Sequence, residues 1–204
     1  MANFSAKKTA LVTGCSEGGL GASLALAFAR HNFRVFATLR EPAKAGNSLS
    51  SHPDIQILPL EVTNSSSIAS CASMVERETG GTLDVLVNNA GMMFVMPLLD
   101  TSIEESKKLY SVNVWGLLAV TQAFAPMLVK SQGTILNIAS IAGAVRMAWQ
   151  GMSLCSFPIA PAAMLFCLWR FDSSCRFAAH NVELSMICDW SWFWLRAYML
   201  LRHL

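Results

Sequence analysis

From Thr9 to Ile138 the chain alternates short apolar runs with longer stretches whose apolar residues recur every three or four positions. Thr9–Val12 is the first run; it ends at Thr13–Gly14 and reads as a buried strand followed by a turn. Behind it, Leu20, Leu24, Ala27 and Phe28 fall at helical spacing. Arg34–Leu39, rich in β-branched and aromatic residues, predicts a second strand ending at Arg40, and Ile55–Leu60 predicts a third. Ser65 to Thr79 predicts a helix with a polar outer face that turns Ile68, Cys71 or Ala72, and Val75 inward. Leu83–Val87 predicts a fourth strand running into Asn88-Asn89-Ala90-Gly91. Ser102 to about Lys130 predicts a long helical stretch, and Thr134–Ile138 a fifth strand ending at Ser140.

Strands that alternate with helices at this spacing imply repeated βαβ units and an α/β fold, a doubly wound parallel sheet covered on both faces. Right-handed crossovers then bring any ligand to the carboxyl ends of the strands. The unusual residues of this chain all stand at such ends, which makes that edge the candidate site.

Composition divides the chain at Gln150–Gly151. Residues 1–150 hold eleven of the twelve glycines and every lysine, whereas residues 151–204 hold four of the six cysteines and four of the six tryptophans. The expected organisation is a nucleotide-binding domain over 1–150, with its sheet truncated after the fifth strand. Residues 151–204 are expected to form an irregular or partly helical hydrophobic tail that is not an independent domain. Helical pieces are expected at Ala162–Phe171 and Trp190–Leu204, with Pro158 and Pro161 interrupting the first. With 53% hydrophobic and 14% charged residues the chain is apolar for a soluble protein, and its net charge of +2 with no basic run argues against a nucleic-acid partner. The six cysteines show neither a disulfide framework nor a metal-ligand spacing, so no metal site is expected. The first residues lack the apolar core of a cleaved leader, which points to the cytoplasm.

Thr13-Gly14-Cys15-Ser16-Glu17-Gly18-Gly19-Leu20-Gly21 joins the first strand to the first helix. Glycines there let the backbone approach a pyrophosphate, and the helix N-terminus offers free N–H groups to its charge. Arg40 ends the second strand, where an arginine can pair with a ribose 2′-phosphate and so favour NADP over NAD; the alternative is a solvated strand-end charge. Glu61 lies at the end of the third strand, either near the adenine edge or as a charge at the start of the helix after Thr63-Asn64-Ser65.

The glycine loop, Asn88-Asn89-Ala90-Gly91, Asn113 within Ser-Val-Asn-Val-Trp-Gly and Ser140 within Asn-Ile-Ala-Ser occur in order over residues 7–150, and together they resemble the short-chain dehydrogenase/reductase family. The extra glycine of the loop is most similar to a fungal branch that includes 1-acyl-dihydroxyacetone-phosphate reductases. The resemblance implies a Rossmann-type sheet and an NADP(H)-dependent oxidoreductase acting on a ketone/alcohol pair, a small-molecule carbonyl or alcohol. It implies pyrophosphate contacts at Gly14, Ser16, Gly19, Leu20 and Gly21, and a cofactor-lining segment at Asn89 and Gly91. Glu61 would occupy the place of the aspartate usual after the third strand. Asn113 would hold a water of the proton relay, and Ser140 would steady the forming alkoxide. The residues by themselves leave Asn113 free to cap a kink and Ser140 to cap a strand end.

The same resemblance implies a tyrosine proton donor with a lysine four positions later, beginning near Ser153; this chain has Ser153 and Phe157. A serine hydroxyl is a poor acid and phenylalanine has neither charge nor donor, so turnover by the usual route is expected to be absent or severely impaired. The alternative is a non-catalytic nucleotide-binding module, or a membrane-associated one. Met147 to Trp169 carries no charge, and Trp190, Trp192 and Trp194 with Arg196, Arg202 and His203 suit an interfacial helix. Loss of the later strands predicts an exposed apolar sheet edge, and no family-type oligomer is expected.

Overall fold

The computed structural model describes residues 7–140 and two further strands, Phe166–Phe171 and Phe177–His180. Seven strands form one sheet in the order β3-β2-β1-β4-β5-β6-β7. They are β1 (Thr9–Thr13), β2 (Arg34–Leu39), β3 (Ile55–Pro59), β4 (Val85–Asn88), β5 (Thr134–Ile138), β6 (Phe166–Phe171) and β7 (Phe177–His180). β1 to β5 are mutually parallel, and the chain reverses strand order between β1 and β4. A parallel sheet with such a reversal opens a crevice at the carboxyl ends of the central strands.

Successive strand residues point to opposite faces, and here both faces are buried, which is why the strands read as unbroken apolar runs. Ala10, Val12, Val35, Ala37, Val85 and Val87 face α1 (Leu20–Arg30), whose Leu24, Ala25 and Phe28 complete one core. Leu11, Phe36 and Leu86 face the other way, onto Ile68, Cys71 and Val75 of α3 (Ser65–Thr79) and Val120, Phe124 and Leu128 of α5 (Leu117–Ser131). The inward face expected for the helix over 65–79 is the one observed, with Cys71 buried and Ala72 at its margin. Asn64 caps α3 through Ser67 N, and Gly80, at φ +68°, ends it.

The stretch expected as one helix from Ser102 is one path of three pieces. α4 (Ile103–Tyr110) starts where Ser102 Oγ accepts Glu105 N, a π-helical segment follows over Ser111–Gly116, and α5 runs to Ser131. This path has the length and apolar character of a membrane span, but it packs its inner face in the second core. Between β2 and β3, where no element was expected, lie a 3₁₀ turn at Pro42–Ala45 and a short α2 (Asn47–Ser50).

Two expectations for the tail need correction. Phe166–Phe171, within the piece read as helical, is strand β6, antiparallel to β5 with Leu136 opposite Leu168, and β7 pairs in turn with β6. The outer edge of β5 is therefore paired rather than exposed, its backbone groups satisfied by the hairpin. Short apolar runs are ambiguous between helix and strand, and here the open edge of β5 offers the pairing. The expected helix at Trp190–Leu204, most of the uncharged stretch 147–169, and Ser153 and Phe157 lie outside the described residues.

Candidate active site

The sheet register brings the carboxyl ends of β1, β2 and β4 level, with Thr13 beside Thr38 and Val12 beside Val87. Gly14 leaves β1 at φ +75°, and a methyl group on it would sit 2.9 Å from Ala90 Cα. At Gly21 an added methyl would lie 2.5 Å from Gly14 O and strike Asn89 Nδ2. Both positions therefore require glycine, one for its backbone angle and both for the closeness of neighbouring chain.

Hydrogen bonds lock the turn after β1 to the turn after β4. Asn89 Nδ2 donates to Thr13 O at 2.8 Å and to Gly14 O at 3.1 Å. Thr13 Oγ1 accepts from Asn89 N and Ala90 N, each at 2.9 Å, and donates to Val87 O. On the other side, Cys15 N donates to Thr38 O and Glu17 N to Lys44 O, both at 2.9 Å, tying the loop to the segment after β2. Ser16 is exposed, and its carbonyl accepts Gly19 N. Gly19 precedes α1 with no side-chain cap and no acid in the first turn. The first-turn N–H groups of Leu20 and Gly21 thus meet no intruding carboxylate, which suits an anion. The Cys15 thiol is fully buried and donates to Val12 O; burial pushes its pKa up to about 12, so it is neither a nucleophile nor an anion in the loop.

Arg40 stands at the end of β2 with its side chain 77% exposed, its Nε 3.9 Å from Glu61 Oε2. Glu61 accepts from Thr63 N and Thr63 Oγ1 through its other oxygen, just ahead of Asn64, the cap of α3. Beyond β4, Asn113 lies in the π-helical segment and grips one backbone unit. Its Oδ1 accepts Met92 N and its Nδ2 donates to Met92 O, both at 2.9 Å. Gly91 packs beside it, where a methyl would come 3.4 Å from Asn113 Oδ1. A π turn widens the helix and redirects backbone carbonyls, a distortion that often marks functional sites. Ser140 follows β5 by two residues, half-buried, at the same edge of the sheet.

Thus the fold joins Gly14, Gly21 and Asn89 directly, Arg40 to Glu61, and Gly91 to Asn113. Ser16, Gly19, Leu20 and Ser140 stand along the same edge. Sequence reasoning passed over Thr13, whose hydroxyl is the hub between the two turns. It also passed over the buried Asn88, which donates to Asn137 Oδ1 at 2.8 Å and Thr121 Oγ1 at 3.0 Å. The available signal was a polar residue within an otherwise apolar strand, as in Leu-Asn-Ile at 136–138.

Comparison with known proteins gives a consistent picture. A family model described as short chain dehydrogenase matches residues 8–155. Short-chain dehydrogenase cctT of Talaromyces islandicus is 52% identical over 145 residues, 71% of this chain and 51% of that protein. The NADPH-dependent 1-acyldihydroxyacetone phosphate reductase of Schizosaccharomyces pombe is 38% identical over 144 residues, 71% of this chain and 48% of that protein. Among solved structures, a short-chain dehydrogenase from Streptomyces avermitilis is similar with a TM-score of 0.68 and 29% identity, covering 74% of this chain and 56% of that one. ElxO with NADP bound is similar at TM-score 0.68 and 28% identity, over 74% of this chain and 62% of its own. The chain spans about half the length of the curated relatives it matches.

Proposed function

The chain belongs to the short-chain dehydrogenase family, a family of oxidoreductases that bind a nicotinamide cofactor, and from that premise we propose that it holds NADP(H) at the carboxyl edge of its sheet. The observation that carries this reading is the lock between Asn89, Thr13 and Gly14. It holds a glycine turn against an uncapped helix start, while Arg40 projects beside it into solvent. The donor set fits the group: the first-turn backbone N–H groups of Leu20 and Gly21 for the pyrophosphate, with Gly14 and Gly19 shaping the turn beneath them, Ser16 at the rim, and a guanidinium for a 2′-phosphate. Support for NADP over NAD also comes from the NADPH-dependent relative and the NADP-bound structural neighbour.

The reaction proposed for the intact arrangement is hydride exchange between a ketone and its alcohol. When bound, the cofactor supplies or accepts the hydride at the carbonyl carbon. Ser140 would hydrogen-bond the substrate oxygen and stabilise the alkoxide as charge develops. Asn113, with its side chain committed to Met92, would present the widened backbone of the π segment to a water. The alkoxide oxygen then needs a proton. After Ser140 this chain has no tyrosine before Tyr198 and no lysine at all. We therefore propose that the chain with this sequence binds cofactor and turns over little or not at all. Loss of a positioned proton donor costs on the order of 10²–10⁴ in rate. The substrate class to test first is an acyl-bearing ketone, by the kinship with the fission-yeast reductase. A cytoplasmic location goes with this reading.

The test is a titration of the full chain with NADPH and with NADH, read by nicotinamide fluorescence. NADPH binding about tenfold or more tighter than NADH supports the reading, and absence of binding by either cofactor removes it. A ketone panel followed by cofactor absorbance then decides turnover; rates typical of a working reductase would overturn the inactivity. A second reading, favoured by the tryptophans and arginines at 190–202, is attachment to a lipid surface. Flotation with anionic liposomes distinguishes it from a protein that stays in the soluble fraction.

A further inference from the structure

Arg40 does not stand alone at the end of β2. The pairing of β2 with β3 continues one step past Leu39 and Pro59, because Leu60 N donates to Leu39 O at 3.0 Å. That extra step delivers Glu61 alongside Arg40. Glu61 is held on every side: its N–H donates to Ser67 Oγ at 2.9 Å, its carbonyl accepts Asn64 N at 3.1 Å, and its Oε1 accepts from Thr63 N and Thr63 Oγ1. Only Oε2 is turned outward, toward Arg40 Nε. The other neighbouring acid, Glu41, is bonded to Lys44 at 2.8 Å, and that bond holds its carboxyl below the usual carboxylate range. Glu61 is therefore the carboxylate that addresses Arg40.

An ion pair this exposed and this long adds little to folding. Its consequence is geometric. A guanidinium carries five N–H donors in a rigid fork, and engaging the Nε side leaves the two terminal amino groups as a bidentate face. We propose that Glu61 is the positioning residue for Arg40, so that discrimination between 2′-phosphorylated and unphosphorylated cofactor belongs to the Arg40–Glu61 pair rather than to the arginine. This inference rests on the proposed NADP reading and adds to it a second residue with a distinct signature. An opposing effect exists, since a carboxylate repels a phosphate. It acts across the guanidinium, at a longer distance and through solvent, where screening is strongest.

The sign is measurable with the full chain carrying Arg40→Ala, Glu61→Gln, or both, titrated with NADPH, NADH and 2′,5′-ADP by calorimetry. Arg40→Ala should weaken NADPH and 2′,5′-ADP by about 10- to 100-fold and leave NADH unchanged. Glu61→Gln keeps an acceptor for Thr63 but turns a neutral amide toward Arg40. It should weaken NADPH and 2′,5′-ADP by about three- to fivefold with NADH unchanged, and should have no further effect in the Arg40→Ala background. Unchanged or tighter NADPH binding by Glu61→Gln overturns the inference, because repulsion then outweighs positioning. An equal loss for NADPH and NADH also overturns it, since Glu61 would then serve the adenosine common to both. If Arg40→Ala leaves the NADPH/NADH ratio unchanged, the 2′-phosphate reading fails and the pair fails with it. A lost ratio in Arg40→Ala with a silent Glu61→Gln sinks the inference alone.

Discussion

Thr13→Val is the sharpest perturbation of the lock at the carboxyl edge. The side chain is only 2% exposed, and valine nearly matches its volume, so packing changes little while the hydroxyl disappears. That hydroxyl accepts two backbone N–H groups, from Asn89 and Ala90, and donates to Val87 O. Removing it strands two N–H donors in a largely enclosed place. A buried unsatisfied group costs about 1–3 kcal/mol. Asn89 and Ala90 are half-buried, so the lower part of that range applies to each, and the sum is about 2–3 kcal/mol. Thr38→Val is the matched control: its hydroxyl donates to Val12 O and accepts no backbone N–H among the bonds described, so its loss should cost about 1 kcal/mol. Urea denaturation of both variants beside the parent, followed by circular dichroism with equal m-values as a check, measures the difference. The expected order is Thr13→Val below Thr38→Val by at least 1 kcal/mol, with NADPH affinity reduced only in Thr13→Val. Equal midpoints for the two variants would refute the claim that Thr13 is the hub of the two turns.

Gly21→Ala should prevent the approach of α1 to Asn89 and Gly14, costing about 1–3 kcal/mol and reducing NADPH affinity at least as severely as Thr13→Val; a thermal melt and a cofactor titration check both. Asn113→Ala removes both bonds to Met92 and should speed amide hydrogen exchange at Met92 while leaving β1 protected, as read by exchange mass spectrometry. Burial pushes the Cys15 thiol up to about 12 and Cys71 up to about 11, each from 9.0. Above pH 9 the unfolded chain therefore releases thiol protons that the folded chain keeps, so stability should fall as the pH rises from about 9 to 11. Cys15→Ala should lessen that slope, and a parent midpoint that is flat with pH would contradict the burial argument. Peptide-mapped labelling at pH 8 should leave both thiols unmodified in the folded protein.

Much of the fold was legible because its causes are local or periodic. Runs of apolar residues with turn residues after them located five strands, two of them with the observed bounds, Arg34–Leu39 and Thr134–Ile138, and the 3.6-residue period located the helix Ser65–Thr79 with its observed bounds. The glycine turn was legible for another reason: turns that bring backbone onto backbone tolerate few residue types, so they leave a mark in the sequence, whereas Asn113 and Ser140 were singled out through the family resemblance. The tail was read less well. The run through Phe166–Phe171 satisfies a helix or a strand, and its strand state follows from hydrogen-bonding groups that β5 leaves open at its edge.

What the sequence determined by itself was the order of elements, the two buried faces of the sheet, and the edge at which its unusual polar and glycine residues gather. Periods of two and about 3.6 specify which way side chains point, and that information sits within a few neighbouring residues. The tertiary structure alone decided the partners. Thr13 meets Asn89, Arg40 meets Glu61, and Asn113 meets Met92 across 76, 21 and 21 positions of chain. No local propensity encodes such pairs; they follow from sheet register and helix packing, which bring distant polar groups to one edge and require each buried donor there to find an acceptor.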